Sequence, residues 1–232
     1  MIDDTKVALV TGANRGLGAA VACSLAEQGL HVVLAGRNEY SVAPGGGTDE
    51  GRAGRQNQLD VNDSASVAWA FVDTAKRHGR LGVLVNNAGV AIDRGQLAAS
   101  PDFERVRAAL DTNLLGAWRC CAAAVPEIRR NSYGRVVNIT SDLAGLATMA
   151  DTNVSYRVSK AALNALTRVL VAELTGTGIL VDACSPGRMN TRMAYGETDR
   201  TPEEGADTPG WLARLPPDGP TGGLFAARTP ID

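Results

Sequence analysis

Residues 7–36 read VALVTGANRGLGAAVACSLAEQGLHVVLAG, and the fold is decided by this stretch. Val7 to Val10 is a short apolar run without polar alternation, the pattern of a parallel strand buried on both faces. It ends in a glycine-rich turn, Thr11-Gly12-Ala13-Asn14-Arg15-Gly16-Leu17-Gly18. From residue 16 to 28 the spacing turns helical: Leu17, Val21, Leu25 and Ala26 fall on one side, and Gly29 stops the run. His31 to Ala35 is a second apolar strand, so a β-α-β unit is complete within about 30 residues. A glycine turn opening a helix presents backbone N–H groups and the positive helix end to a pyrophosphate. The spacing here is G-x-x-x-G-x-G, distinct from the dinucleotide fingerprint G-x-G-x-x-G.

Further along the chain, strands and helices keep alternating. Ser64 is predicted to cap a helix running to about His78, and Val83 to Val85 to form a strand ending in Asn86-Asn87-Ala88-Gly89. Residues 102–131 carry helix-spaced apolar positions from Leu110 to Ile128, with Pro126 expected to bend the helix near its end. Val136 to Ile139 reads as a strand, Tyr156 to Leu174 as a strongly periodic helix, and Ile179 to Ala183 as a strand running into Ser185-Pro186-Gly187. A short helix around Pro202 to Leu212 and a strand near Leu224-Phe225 complete the chain. The weak region is SVAPGGGTDEGRAGR, residues 41–55, where the glycines argue for a loop or a short helix; the strand near Gln56 to Leu59 is weakly marked too. The expected class is α/β: a Rossmann-type doubly wound parallel sheet with helices on both faces. One domain takes residues 1–232, with 191–232 as a substrate-side segment and tail.

Composition narrows the function. The formal net charge is −2 with no long basic run, which gives no electrostatic case for nucleic acid or an anionic membrane. Cys23, Cys120, Cys121 and Cys184 match neither a zinc motif nor a secreted disulfide framework, so they read as free thiols and no metal is expected. No apolar run is long enough to span a bilayer, and the N-terminus lacks a signal-peptide shape. The expected location is the cytoplasm.

Ligands of such sheets bind beyond the carboxyl ends of the strands. After the second strand an NAD-preferring fold carries an acid for the ribose 2′-OH; here the chain reads Ala35-Gly36-Arg37. Arg37, with Arg15 on the same side, suits a 2′-phosphate, a charge-assisted contact of about 1.5–3 kcal/mol. The expected cofactor is therefore NADP(H). Asp60-Val61 after the third strand and Asn87-Ala88-Gly89 after the fourth complete its bed: a carboxyl suits the adenine amino group, and Gly89 admits close backbone approach. At the other end, Tyr156 and Lys160 stand four apart on one helix face. A cation about 4 Å from a phenol favours the phenolate by roughly 4 kcal/mol at an effective dielectric near 20, bringing tyrosine toward working pH.

Taken together and in order, the Thr11–Gly18 turn, Asn86-Asn87-Ala88-Gly89, Asn113, Asn138-Ile139-Thr140-Ser141, Tyr156 with Lys160, and Pro186-Gly187 with Thr191 resemble the single-domain branch of the short-chain dehydrogenase/reductase family over residues 5 to about 195. The tail, from Thr201 to Pro209 and Gly219 to Gly223, looks like the end of carbonyl-reductase-like members. The resemblance implies a substrate that is a small carbonyl compound or alcohol. It implies Tyr156 as proton donor or base, Ser141 as donor to the substrate oxygen, Lys160 on the nicotinamide ribose, and Asn113 behind a proton-relay water. Pro186, Gly187, Met189 and Thr191 are implied at the nicotinamide end. Three features depart from the pattern: the 15-residue spacing of Ser141 and Tyr156, with Thr140 as rival to the serine; the glycine-rich 41–55; and a short Thr191–Thr201 segment, which suggests an open cleft. The complete Asn113, Ser141, Tyr156 and Lys160 set argues against a nucleotide-sensing module without chemistry. Length argues against a sugar-nucleotide epimerase, and the tyrosine–lysine spacing against an enoyl reductase. Asp142, Leu143, Leu146, Met149, Asn153 and Met189 are the expected pocket wall. The 110–128 and 163–174 helices are apolar enough either to pack on a second copy or only to face their own sheet.

Overall fold

The computed structural model describes residues 6–37, 56–130, 133–191, 193 and 198–231. Of the expected features, the glycine-rich 41–55 and, within the Thr191–Thr201 segment, residues 192 and 194–197 lie outside the described residues.

β1 (Val7–Thr11) is buried along its whole length, and its side chains alternate between two cores. Val7 and Leu9 face one side, Ala8 and Val10 the other. β1 pairs in parallel with β2 (His31–Gly36) on one edge and β4 (Leu81–Asn86) on the other. β3 (Gln56–Gln58) lies outside β2. Beyond β4 come β5 (Gly134–Ile139), β6 (Ile179–Cys184) and β7 (Leu224–Ala226), all parallel. A two-residue β8 (Thr229–Pro230), absent from the sequence reading, pairs antiparallel with β7. The order β3-β2-β1-β4-β5-β6-β7-β8 reverses direction between β1 and β4, which opens a crevice beyond their carboxyl ends.

One face of the sheet carries α1 (Gly16–Glu27), α6 (Pro202–Gly205) and α7 (Asp207–Leu212), the last two standing where one short helix was expected. The other carries α2 (Ser64–His78), α4 (Ala117–Ile128) and α5 (Val154–Glu173). The cap of α2 is Asp63 and not Ser64: its carboxylate accepts the Ala65 N–H at 2.8 Å, and Ser64 is the first helical residue. Lys76, Arg77 and His78 close the same helix against its negative end.

The predicted 102–131 helix is built in three parts. Asp102 caps α3 (Phe103–Leu110), a π-helical turn takes Asp111–Gly116, and α4 follows without a break, with Pro126 in its last turn. The irregularity falls on the π-turn, where Gly116 lies so close to Val61 that a Cβ would stand 2.8 Å from its Cγ2. Leu163, Leu166 and Leu170 of α5 and Leu174 at its C-cap are all buried in the core of their own sheet, as are Cys121, Ala124, Val125 and Ile128 of α4. The apolar stripes therefore face inward; Trp118, Val158 and Val169 are the large apolar side chains these helices turn outward. No helix among the described residues is long and apolar enough to cross a membrane.

Candidate active site

The crevice at the β1/β4 reversal is a cleft of about 990 Å³, within the size range of small-molecule and cofactor sites. Its floor is the glycine turn. Gly12 and Gly16 hold φ of 63° and 54°, in the left-handed region. At Gly18 a Cβ would collide with the Asn87 amide nitrogen and stand 2.5 Å from the Gly12 carbonyl, so the helix can approach this closely only with glycine there. The neighbouring turn is tied in from the side: Asn87 Nδ2 donates to the Thr11 and Gly12 carbonyls at 2.9 and 3.2 Å. The N–H groups of Asn87 and Ala88 both donate to Thr11 Oγ1 at 3.0 Å. A glycine-rich turn at the mouth of α1, lining an open cleft, fits the diphosphate of a dinucleotide.

Every residue expected to bind cofactor lines this cleft: Asn14, Arg15, Leu17 and the glycines of the first turn, Arg37, Asp60, Val61, Asn87, Ala88, Gly89, Tyr156, Lys160, Pro186, Gly187, Met189 and Thr191. Arg37 is exposed, and a smaller hollow beside it is lined also by Gln58, Asp60 and Trp69. Asp60 has one carboxylate oxygen engaged locally, accepting the Asn62 N–H at 3.0 Å. Thr191 lies across from the glycine turn: a Cβ on Gly16 would meet its methyl at 3.6 Å.

The chemical end converges from three elements. Ser141 follows β5; its hydroxyl donates to Asp142 Oδ1 at 3.1 Å and accepts the Leu143 N–H at 3.2 Å. The rival Thr140 is buried and donates to the Lys160 carbonyl, so its hydroxyl is spent on α5. Tyr156 is half-buried on the first turn of α5, one turn ahead of Lys160. The Lys160 ammonium lies 5.9 Å from the phenol ring centre and donates to the Ile139 carbonyl at 2.7 Å. Burial pulls the lysine itself down to about 8. Asn113 is buried and does not line the cleft. Its amide bridges both backbone groups of Val90, accepting N–H at 2.8 Å and donating to C=O at 2.9 Å, and also donates to Ser159 Oγ at 2.9 Å.

The long Ser141–Tyr156 spacing is absorbed by two 3₁₀ turns, Asp142–Ala144 and Leu146–Thr148. Arg157 ties the two ends of this loop, donating to the Leu143 carbonyl at 3.1 Å and the Thr152 carbonyl at 2.7 Å. Asp142, Leu143, Asn153 and Met189 line the cleft as expected; Leu146 and Met149 do not, and Leu146 is 81% exposed. Sequence reasoning missed Arg157, Ser159 and a buried polar ladder under the site. In that ladder Asn86 Nδ2 donates to Asn138 Oδ1, and Asn138 Nδ2 donates to Thr167 Oγ1, both at 2.9 Å. Polar residues at buried strand positions 86 and 138 were the available signal.

The short chain dehydrogenase family profile matches residues 6–201. The chain belongs to the short-chain dehydrogenase family. Among curated relatives of this short-chain dehydrogenase, mouse carbonyl reductase [NADPH] 1 is 33% identical over 270 aligned positions, covering 96% of each chain. Human carbonyl reductase [NADPH] 3 is 35% identical, with 92% of each covered. Short-chain reductase protein NovJ of Streptomyces niveus is 35% identical over 83% of this chain and 72% of its own. Salutaridine reductase from Papaver somniferum superposes with a TM-score of 0.83 at 24% identity, covering 95% of this chain and 99% of that one, a likeness of fold. The short-chain dehydrogenase is thus a carbonyl/alcohol oxidoreductase by family, on a parallel α/β sheet.

Proposed function

We propose that the chain is an NADP(H)-dependent oxidoreductase that reduces a ketone or aldehyde, or oxidises the matching alcohol, with Tyr156 as acid/base. The observation that carries this is the meeting of Tyr156, its helix neighbour Lys160 and Ser141 in the same cleft as the glycine cradle. Arg37 in place of an acid after β2 supports the phosphorylated cofactor, as do the names of the mouse and human relatives.

When bound, NADPH supplies the hydride. The turn N–H groups and the start of α1 hold the pyrophosphate, Arg37 and Arg15 the 2′-phosphate, and the Asp60–Val61 corner the adenine. Pro186, Gly187, Met189 and Thr191 border the nicotinamide. With substrate bound, the Ser141 hydroxyl turns from Asp142 Oδ1, donates to the substrate oxygen and stabilises charge developing on it. Tyr156 gives that oxygen its proton in reduction and takes it back in oxidation. Lys160 holds the ribose, and its charge favours the phenolate. Asn113 acts as a brace, since its amide already joins Val90 to Ser159. A homo-oligomer across Trp118, Val158 and Val169 fits the same reading, and light scattering on the eluting protein checks it.

The test is oxidation of NADPH and NADH with a panel of ketones, aldehydes and diketones, for the wild type and Tyr156→Phe. NADPH should be preferred by about ten- to a hundredfold. The Phe variant should lose about a hundredfold or more in kcat. Cofactor binding with no turnover on any carbonyl would refute the proposal.

A further inference from the structure

The helix that carries Tyr156 and Lys160 begins without a cap of its own. Its N-cap residue, Asn153, stands at φ 52° and ψ 47°, in the left-handed region, and its side chain makes no capping hydrogen bond. An N-cap residue ordinarily takes extended backbone and turns its side-chain oxygen onto the second or third N–H of the helix. Asn153 lines the cleft instead. The N–H groups of Ser155 and Tyr156 are satisfied from elsewhere: both donate to Oδ2 of Asp93, at 2.6 and 3.4 Å. Asp93 belongs to the segment that follows β4, 62 positions before Ser155, and is fully buried. Its Oδ1 has no hydrogen-bond partner among the described residues.

Burying a carboxyl with one oxygen unsatisfied is a costly way to cap a helix, since a residue at the N-cap itself would do so at the surface without desolvation. What this arrangement adds is a tie between two parts of the site. The same 89–93 segment is joined to the same helix a second time. Asn113 grips both backbone groups of Val90 and donates to Ser159 Oγ, and Ser159 Oγ in turn donates to the Tyr156 carbonyl at 2.8 Å. Next to the second tie, a Cβ on Gly89 would stand 3.5 Å from the Lys160 ammonium. The cofactor-side segment is therefore bonded to α5 at its first residues and again one turn on, on both sides of Tyr156.

We propose that Asp93 is a positioning residue that holds the start of α5 against the cofactor-side segment, and so sets the height of the Tyr156 phenol over the cleft. This rests on the reading of Tyr156 as acid/base. Asparagine at 93 keeps a side-chain oxygen for the two N–H groups; alanine removes it.

The experiment compares wild type, Asp93→Asn and Asp93→Ala with NADPH and the best carbonyl of the panel. Asp93→Ala should lower kcat by about ten- to a hundredfold, the range that follows from displacing a reacting group by about 1 Å. The Kd for NADPH, from fluorescence titration, should change by less than about threefold. The primary isotope effect on kcat with 4-deuterated NADPH should rise as the chemical step becomes limiting. Asp93→Asn should restore kcat to within about threefold of wild type. Should the alanine variant not fold, Asp93→Ser, with a shorter acceptor, is carried through the same measurements with the same expected direction. The proposal is overturned if the alanine or serine variant loses only thermal stability while kcat and isotope effect stay at wild-type values, or if Asp93→Asn is as impaired as Asp93→Ala. A wild type that turns over no carbonyl sinks the functional reading and this proposal with it, whereas an active wild type matched by Asp93→Ala sinks the role of Asp93 alone.

Discussion

Lys160→Met in the cofactor-free protein exchanges a buried ammonium for an uncharged side chain of similar length. Burial lowers the lysine from its ordinary 10.5 to about 8. That gap of about 2.5 pH units, at about 1.36 kcal/mol per unit, sets about 3 kcal/mol against the charged form at neutral pH. The variant also loses the bond to the Ile139 carbonyl, a loss of about 1–2 kcal/mol. The net expectation is a gain of about 1–2 kcal/mol, or about 2–8 °C in Tm for a domain of this size. The pH dependence follows from the sign. Below pH 8 both folded and unfolded lysine are protonated and the whole cost stands. Between about 8 and 10.5 the unfolded chain keeps a proton the folded chain has released, so wild-type stability recovers as pH rises. The advantage of the variant should therefore shrink across that window, while its turnover is lost at every pH. Thermal unfolding of the two proteins side by side, from pH 7 to 10 without cofactor, reads this directly. A methionine variant less stable than wild type at pH 7, or a gap that does not narrow with pH, would show that the buried charge is not what strains this site.

Asp182 works in the opposite direction: burial pushes its carboxyl up to about 6, and Oδ1 accepts the Gly223 N–H at 3.0 Å. The folded state holds a proton that the unfolded chain loses between about 4 and 6, so wild-type stability falls as pH rises through that window. Asp182→Asn, which keeps the acceptor, should melt about 2–8 °C higher at pH 7 and no higher near pH 4; equal melting at both values would count against it. Gly18→Ala should weaken NADPH binding at least about tenfold and lower Tm, because its Cβ meets the Asn87 amide that ties the two turns together; unchanged calorimetric titration and melting would contradict the close packing. Cys120, Cys121 and Cys184 are buried, and burial raises all three thiols, Cys121 to about 12, while Cys23 is exposed. A thiol reagent should therefore titrate one cysteine quickly in the native protein and four after unfolding; a second fast thiol would show that one of these cores opens.

The sequence by itself determined the β-α-β start, the parallel sheet and the glycine turn, because each is written within a few neighbouring residues: an apolar run, a helical period, a turn that needs glycine; Ser141, Tyr156 and Lys160 stood out only through the family resemblance of the whole ordered set. The reach of that logic ends where a choice depends on residues far apart in the chain. Asp63 caps α2 where Ser64 was expected, since only the chain's entry angle decides which oxygen meets the free N–H groups. The π-turn at 111–116, the Arg157 clamp on the 142–153 loop and the outward turn of Leu146 have no local signature, because each answers to a partner brought up by folding. The Lys160 ammonium is drawn down by desolvation and held by the Ile139 carbonyl, both consequences of being enclosed and not of standing four residues from a tyrosine. Asp93 is the clearest instance: in sequence it is an acid in a loop, and only the closed sheet, which brings the segment after β4 and the start of α5 together, lets it accept the first N–H groups of α5.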